Sequence, residues 1–248
     1  MRNSATRSPA RAAPSRATRR RAPPTLETAS GISATERAYQ ELRRRILSNL
    51  LPAGTQVLEQ DLAAQLGISR TPTREALLRL ANEGLVELRP RHGMRVLPVS
   101  VDDMREIYEI LTELEAAAAR RSAERGLSAA DLSDLEGAVA DMDLALAADD
   151  LDAWAEADGR FHKRLAEASG NRRLQAVVNH YLDQAHRVRM LTLRIRPRPT
   201  TSNQDHAAVV DAIRRRDPVT AERVHREHRV SNGRMLIELL ERHRLTSL

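Results

Sequence analysis

The chain has 248 residues, enough for two domains of ordinary size, with 40 Lys and Arg residues, 34 Asp and Glu residues and no cysteine. The lack of cysteine excludes disulfide scaffolds, cysteine-ligated zinc fingers, iron–sulfur clusters and thiol nucleophiles. Only 2% of the residues are aromatic, and Ala, Leu, Arg and Glu are abundant, which favours a mostly α protein over a β-sandwich. The longest uncharged run, from Ile46 to Leu58, is too short to span a membrane.

The first part of the chain is strongly basic. Residues 1–30 contain seven arginines and one acidic residue, Glu27, and they show no hydrophobic periodicity. We therefore predict a disordered basic arm over residues 1–33. Such a segment is typical of a solvated tail with modest attraction to DNA, although its arginine-rich, acid-poor composition also resembles a transit peptide.

Residues 34–100 have the pattern of a winged helix-turn-helix domain. Apolar residues at helical spacing predict one helix before Pro52 and a second, from Glu59, that stops at Gly67. A third helix is expected where Thr71 can cap it and Pro72 can occupy its first turn. Two short strands, 85–88 and 94–99, follow as a hairpin. The second and third helices, with the tight turn between them, form the helix-turn-helix, and the hairpin forms the wing.

The remainder, residues 101–248, is predicted to be helical almost throughout. Apolar residues recur three and four positions apart in six segments, which are separated by short breaks such as Gly126 and Pro197. Six helices with short connections predict an all-helical antiparallel bundle.

A helix-turn-helix domain places its second helix in the major groove of DNA, with the N-terminal residues nearest the base edges. Arginines there can bind phosphate or guanine. The tip of the wing is expected to follow the DNA backbone or the minor groove. The predicted DNA-binding residues are Ser69, Arg70, Thr71, Thr73, Arg74, Arg91, His92 and Gly93.

Four polar residues of the second domain fall on apolar helix faces. Asp158 and His162 are four residues apart on one helix, and His206 and His228 lie in the apolar stripes of two others. Imidazole and carboxylate are ligands for zinc, nickel, manganese or iron, so the four residues predict a metal site. A set of core histidines bonded to backbone carbonyls is the alternative. The other histidines fit the inward stripes less well: His180, His186, His225 and His243.

Residues 36–99 resemble the N-terminal domain of the GntR family of bacterial transcription regulators. The resemblance lies in the run LGISRTPTREAL, residues 66–77, and in LANEGLV, residues 80–86. It implies that Ser69, Arg70, Thr71 and Arg74 contact operator DNA. Some members use an arginine on the preceding helix, where this chain has Gln60.

Residues 102–244 resemble the FadR-type C-terminal domain, known as the FCD domain. The matching runs are DGRFH (158–162), ASGN (168–171), DH (205–206) and REH (226–228). The resemblance implies a divalent metal held by Asp158, His162, His206 and His228, with a small carboxylate effector beside it. It also implies that residues 101–248 bind the effector and carry the dimer contacts. The first FCD helix often carries an arginine that points into the pocket, where this chain has Leu111.

Together these features predict a cytoplasmic, nucleoid-associated bacterial regulator with no membrane partner. We expect a homodimer that binds a short inverted-repeat operator in double-stranded DNA, acts as a repressor by analogy and responds to its effector. Two alternatives belong to other classes. One is a metal-dependent enzyme carrying a DNA-binding domain, with Glu109, Glu113 or Glu115 near the metal. The other is a non-specific DNA-compacting protein driven by the arginine arm.

Overall fold

The computed structural model describes residues 31–243 and 245. Over this range the chain forms a winged helix-turn-helix domain followed by a helical bundle, which confirms the predicted fold class. Residues 1–30 of the predicted basic arm lie outside the described range. None of the described helices is long and apolar enough to cross a membrane.

The first domain consists of three helices and three short strands. In chain order these are α1 (Ala34–Leu47), β1 (Gln56–Val57), α2 (Glu59–Leu66), α3 (Arg70–Asn82), β2 (Val86–Arg89) and β3 (Gly93–Val96). The side chain of Ser33 caps α1 by accepting the N–H of Glu36, and Gly67 ends α2 in the left-handed conformation. The inward faces form one core around Leu42, Leu62, Leu77, Leu80 and Met94.

The wing has one strand more than the predicted hairpin. The strand order is β1-β3-β2, both pairs are antiparallel, and Met94 of β3 lies opposite Val57 on one side and Leu88 on the other. Strand β1 has two residues, too few for an alternating pattern to appear in the sequence. Strand β3 also ends at Val96, earlier than predicted.

Helix α3 begins one residue before the predicted cap. Ser69 is the N-cap, with extended φ and ψ of −77° and 166°, and Arg70 is the first helical residue. Thr71 is therefore inside the helix, and the prediction that it caps α3 is wrong. Pro72 still lies in the first turn, where its missing N–H costs no hydrogen bond.

The second domain contains six helices. They are α4 (Val101–Arg125), α5 (Ala129–Ala147), α6 (Leu151–Ala168), α7 (Arg172–Thr192), α8 (Thr200–Arg214) and α9 (Pro218–Arg242). Ser100 and Asp103 form a capping box at the start of α4, and Asp217 caps α9 before Pro218. The core of the bundle includes Met104, Leu111, Trp154, Phe161 and Val209.

Helix α7 of the bundle contacts the winged-helix domain directly. Nε of Arg43, on α1, donates to Oδ2 of Asp183, on α7, over 2.8 Å. Arg187, also on α7, is buried and donates from Nη1 to the carbonyl O of Leu97 over 2.9 Å. Leu97 lies between β3 and α4, so α7 holds both α1 and the connection between the domains.

The wing depends on a glycine at its tip. Gly93 has φ of +78°, and a Cβ there would lie 2.1 Å from the carbonyl O of Val57. We expect Gly93→Ala to lower the free energy of unfolding by more than Gly67→Ala, measured by urea denaturation. Gly67 has φ of +65° with open space around it, so its substitution costs only about 1–2 kcal/mol of backbone strain. Equal losses in the two variants would show that β1 can move away from the added methyl group without a cost in stability.

Candidate functional site

The N-terminal turn of α3 presents a polar, cationic surface. Ser69, Arg70, Thr71 and Arg74 are all exposed. Nη2 of Arg70 donates to Oε1 of Gln60, on α2, over 2.9 Å. Gln60 thus orients Arg70, one of the predicted base-reading arginines.

One predicted DNA-binding residue faces the other way. Thr73 is fully buried, and its hydroxyl donates to the carbonyl O of Ser69 over 3.0 Å. Its prediction as a base-reading residue is therefore wrong, because its side chain is occupied inside the turn. The hydroxyl secures the N-terminus of the helix that carries the exposed arginines.

The wing and α3 border a common groove. Arg70 and Arg74 of α3 and Arg89 and Arg91 of the wing line it, with Glu59 among the few acidic groups nearby. Arg91 and His92 are exposed at the tip, while Gly93 is half-buried against β1. The groove therefore offers arginines from two elements to a polyanion.

The four predicted metal ligands come together inside the bundle. His162, His206 and His228 are buried, with one nitrogen of each within 4.8 Å of the others. Oδ1 of Asp158, also buried, lies 3.7 Å from Nε2 of His162 and 3.9 Å from Nε2 of His206. Helices α6, α8 and α9 each supply part of the set, as the sequence predicts.

The donor atoms are oriented as a metal would require. Nδ1 of His162 contacts Oε2 of Glu115 at 2.8 Å, and Nδ1 of His228 contacts Oδ2 of Asp205 at 3.1 Å. An N–H on each Nδ1 leaves Nε2 with a free lone pair. Nε2 of His162 and both ring nitrogens of His206 are buried without a hydrogen-bond partner among the described residues. Buried orphan nitrogens are costly, so this set fits a divalent cation.

A second group of potential ligands supports the first. Glu115, on α4, is fully buried and accepts from His162, from Nε2 of His225 at 2.9 Å and from Nε of Arg229 at 3.0 Å. A second hydrogen bond runs from Arg229 to Oε1 of Glu115. Both oxygens accept hydrogen bonds, so Glu115 positions His162, and together with His162 and His225 it also forms a second group whose donor atoms lie within 4.8 Å of one another.

The ionisation of this region is set by burial and by its arginines. Burial opposes the charge on Asp158, but Arg189, with Nη1 2.6 Å from Oδ2, and the neighbouring imidazoles hold the pKa of that carboxyl well below its usual value. Burial lowers the pKa of His206, and nearby His228 and His162 lower it further. Burial also lowers the pKa of His228. Asp158 is thus anionic and these two imidazoles neutral at pH 7, the states that bind metal.

A narrow cavity of about 10 Å³, the size of one water molecule, lies beside the cluster, so a carboxylate ligand would have to displace its walls. Asp158, His162 and His228 line it together with Trp154, Tyr108 and three arginines, Arg189, Arg196 and Arg229. Arg196 donates from Nη2 to Oδ1 of Asn232 over 3.1 Å, and its Nε is buried without a partner among the described residues. These three guanidinium groups come from α7, from the α7–α8 connection and from α9.

The sequence predicts these supporting residues only in part: Glu115 is one of three glutamates expected near a metal, His225 is one of the histidines that fit the inward stripes less well, and Arg229 is not predicted. His225 is fully buried and bonded to Glu115. Arg229 is four residues later on α9, and Glu115 is four residues after the buried Leu111 on α4. Helical spacing was the available signal, because each of these polar residues lies one turn from another inward residue.

Comparison with known families gives two matches that follow one another along the chain. The profile described as "Bacterial regulatory proteins, gntR family" matches residues 34–96, and the FCD domain profile matches residues 106–231. The chain belongs to the GntR family. Its FCD domain agrees with the FadR-type resemblance of the sequence.

Curated relatives of this GntR protein carry regulator names. A transcriptional regulator from the TAR-I ttuE-ttuC' intergenic region of Agrobacterium vitis is 40% identical over 141 residues, covering 56% of this chain and 82% of that protein. The repressor RspR of Escherichia coli is 28% identical, covering 78% and 84%. The gluconate operon repressor of Bacillus subtilis is 28% identical, covering 76% and 79%. The protein is therefore a DNA-binding transcriptional regulator and not an enzyme.

Solved structures share the fold. Escherichia coli McbR/YncC superposes with a TM-score of 0.74 at 21% identity, covering 84% of this chain and 99% of that one. A GntR regulator from Rhodococcus superposes with a TM-score of 0.69 at 23% identity, covering 84% and 99%. These likenesses support the arrangement of a winged helix-turn-helix domain followed by a helical bundle.

The Glu115–Arg229 pair gives a direct test of the supporting network. We expect Glu115→Gln to lower the free energy of unfolding by about 3–5 kcal/mol in urea denaturation, because it leaves the buried Arg229 charge without a carboxylate. Glu113→Gln on the same helix is the control. Its carboxylate is 67% exposed and paired with Arg226, so its loss costs about 1 kcal/mol or less. Similar losses in both variants would contradict the role of the buried pair.

Proposed function

We propose that this GntR regulator is a ligand-responsive repressor that binds an inverted-repeat operator as a homodimer. A metal-bound small carboxylate in the bundle would release the operator. The observation that carries the proposal is the cluster of unpartnered buried nitrogens around Asp158. The repressor role is supported by relatives that carry that name.

The DNA-facing part of the proposal rests on exposed side chains of α3 and the wing. Arg70 and Arg74 lie on the accessible face of α3, opposite the buried Leu77 and Leu80. Arginine in the major groove can donate two hydrogen bonds to guanine. We assign base reading to these arginines and to Ser69 and Thr71, and backbone contacts to Arg91, His92 and the main chain of Gly93.

We assign the metal to Asp158, His162, His206 and His228. The donor set suits zinc, nickel, manganese or iron, and such a cation would supply open coordination positions for the oxygens of a carboxylate. Glu115 holds the ring of His162, and Asp205 holds that of His228. Arg196, which lacks a carboxylate partner among the described residues, would attract an anion into the cavity.

A route from the cavity to the DNA-binding domain runs along α7. Arg189 pairs with Asp158 at one end of this route, and six residues earlier Asp183 pairs with Arg43 of α1. A ligand that pulls Asp158 away from Arg189 would alter the position of α7. The ligand changes the affinity for DNA only if it binds one arrangement of the two domains more tightly than the other. The size of that change is set by the difference between the ligand's two affinities.

Metal content is the first test. We expect about one divalent metal per chain, by elemental analysis, in protein loaded with zinc, nickel, manganese or iron and then dialysed. The His206→Ala variant should retain none, whereas His180→Ala, a half-buried histidine outside the cluster, should match the original protein. Metal retained in His206→Ala, or none in the loaded original, would refute the assignment, with circular dichroism reporting that each variant is folded.

Base reading is tested with an operator selected from random DNA by the purified protein. We expect Arg74→Ala to weaken binding to the selected operator by about 1–3 kcal/mol more than binding to random DNA, in anisotropy titrations at fixed salt. Arg164→Ala, an exposed arginine on α6, removes the same charge from the second domain and should change neither. Equal losses of Arg74→Ala on both DNAs would exclude base reading.

The homodimer and the location follow from the same proposal. A helix-turn-helix dimer reads two half-sites, so the operator should be palindromic. Light scattering is expected to give twice the chain mass of 27.7 kDa, and a monomer on DNA would contradict the dimer. A DNA-bound repressor of this kind belongs in the bacterial cytoplasm, at the nucleoid.

A further inference from the structure

A cavity of about 440 Å³ lies between the two domains. Helix α1 of the winged-helix domain forms one wall, and helices α6 and α7 of the bundle form the others. Its size falls within the range of small-molecule sites. The apolar part of the wall comes from Leu47, Leu182 and Met190. The proposed DNA and metal ligands leave this space itself unfilled, and Arg43, Asp183 and Arg189 of its wall belong to the proposed route along α7.

The polar part of the wall contains more cationic than acidic side chains, but three of its arginines are paired with carboxylates outside it: Arg44 with Glu41, Arg160 with Asp141 and Arg189 with Asp158. The carboxylates are Asp152, Glu156 and Asp183, whereas the cationic residues are Arg43, Arg44, Arg160, Lys163 and Arg189. Asp183 contacts two of these cations: it accepts from Arg43 and lies 3.4 Å from Nζ of Lys163. Lys163 is 43% exposed, so its ammonium group is accessible to a further anion. The wall thus combines an apolar surface with a cation that shares its partner.

Gly159 contributes to the empty space. It lies in the middle of α6, where glycine costs about 1 kcal/mol relative to alanine. A Cβ at this position would meet one atom within 4 Å, Nδ1 of His186 at 3.8 Å, which is an ordinary contact. Packing therefore tolerates a side chain here, and that side chain would extend into the cavity.

We propose that this cavity is a second binding site, separate from the metal cluster, for an amphipathic monocarboxylate. The carboxylate would pair with Lys163 and Arg43, and the apolar body would lie against Leu47, Leu182 and Met190. Because the ligand contacts both domains at once, its binding stabilises this arrangement of α1 against the bundle by mass action. The site therefore adds a second input to the regulator.

Octanoate is the probe, titrated calorimetrically into the full-length protein. We expect saturable binding of one octanoate per chain, and binding of 1-octanol at least fivefold weaker, since the alcohol lacks the charge that Lys163 recognises. Lys163→Gln should weaken octanoate by about fivefold for the same reason. No saturable binding to the original protein, or equal affinity for the alcohol, would overturn the proposal.

Two glycine variants locate the site. Gly159→Leu fills the cavity and should abolish octanoate binding. Gly137→Leu makes the same change on α5, where a Cβ meets nothing within 4 Å, and should bind as the original protein does. Both substitutions raise helix propensity equally, and melting curves report their folding. Equal binding by the two variants would place octanoate elsewhere.

The metal cluster is the competing place for a carboxylate. The titration is therefore run on chelator-treated protein with and without one equivalent of Zn²⁺. The cavity proposal expects binding in both, lost in Gly159→Leu in both. Binding that requires Zn²⁺ would place octanoate on the metal and refute the second site, whereas binding without Zn²⁺ stands whether or not the metal assignment holds.

Discussion

The buried ion pair between Glu115 and Arg229 organises the centre of the bundle. It joins α4 to α9, and the same carboxylate accepts from His162 and His225. Both charges are buried and hydrogen-bonded. They hold the neighbouring imidazole rings in place, since any rotation of these side chains would leave an unpaired charge in an apolar interior. The Glu115 carboxylate therefore holds the imidazole of His162 in place at the edge of the neighbouring cavity.

The metal cluster and the winged-helix domain meet on the same helix. On α7, Arg189 faces the cluster and Asp183 faces α1. Arg187 donates to the carbonyl of Leu97 in the connection between the domains. Burial lowers the pKa of Arg187 to about 10, yet the group stays charged at neutral pH. The hydrogen bond of Arg187 and the Arg43–Asp183 pair are thus two polar contacts that join α7 to the first domain and to the connection that follows it.

Periodicity and spacing predicted the fold class, the six helices of the bundle and the convergence of Asp158, His162, His206 and His228. They failed where a position depends on tertiary contact. Thr73 lies in the first turn of α3, where a threonine can either contact DNA or bond to the backbone at the helix N-terminus. The sequence pattern is the same in both cases. Strand β1 is defined by pairing with β3 and not by its own residues. Glu115 and Arg229 became a pair only when α4 and α9 packed together.

The shortage of lysine has a practical outcome. Lys163 is the one lysine of the chain, and it lies on the wall of the cavity between the domains, 3.4 Å from Asp183. Besides the α-amino group, amine-directed reagents can therefore acylate a single side chain, at the junction of the DNA-binding domain and the bundle. Acylation removes its charge and adds bulk at that junction. A label on Lys163, located by peptide mapping, thus reports on the domain junction, and the same scarcity makes lysine-based crosslinking unsuited to detecting contacts elsewhere on the molecule.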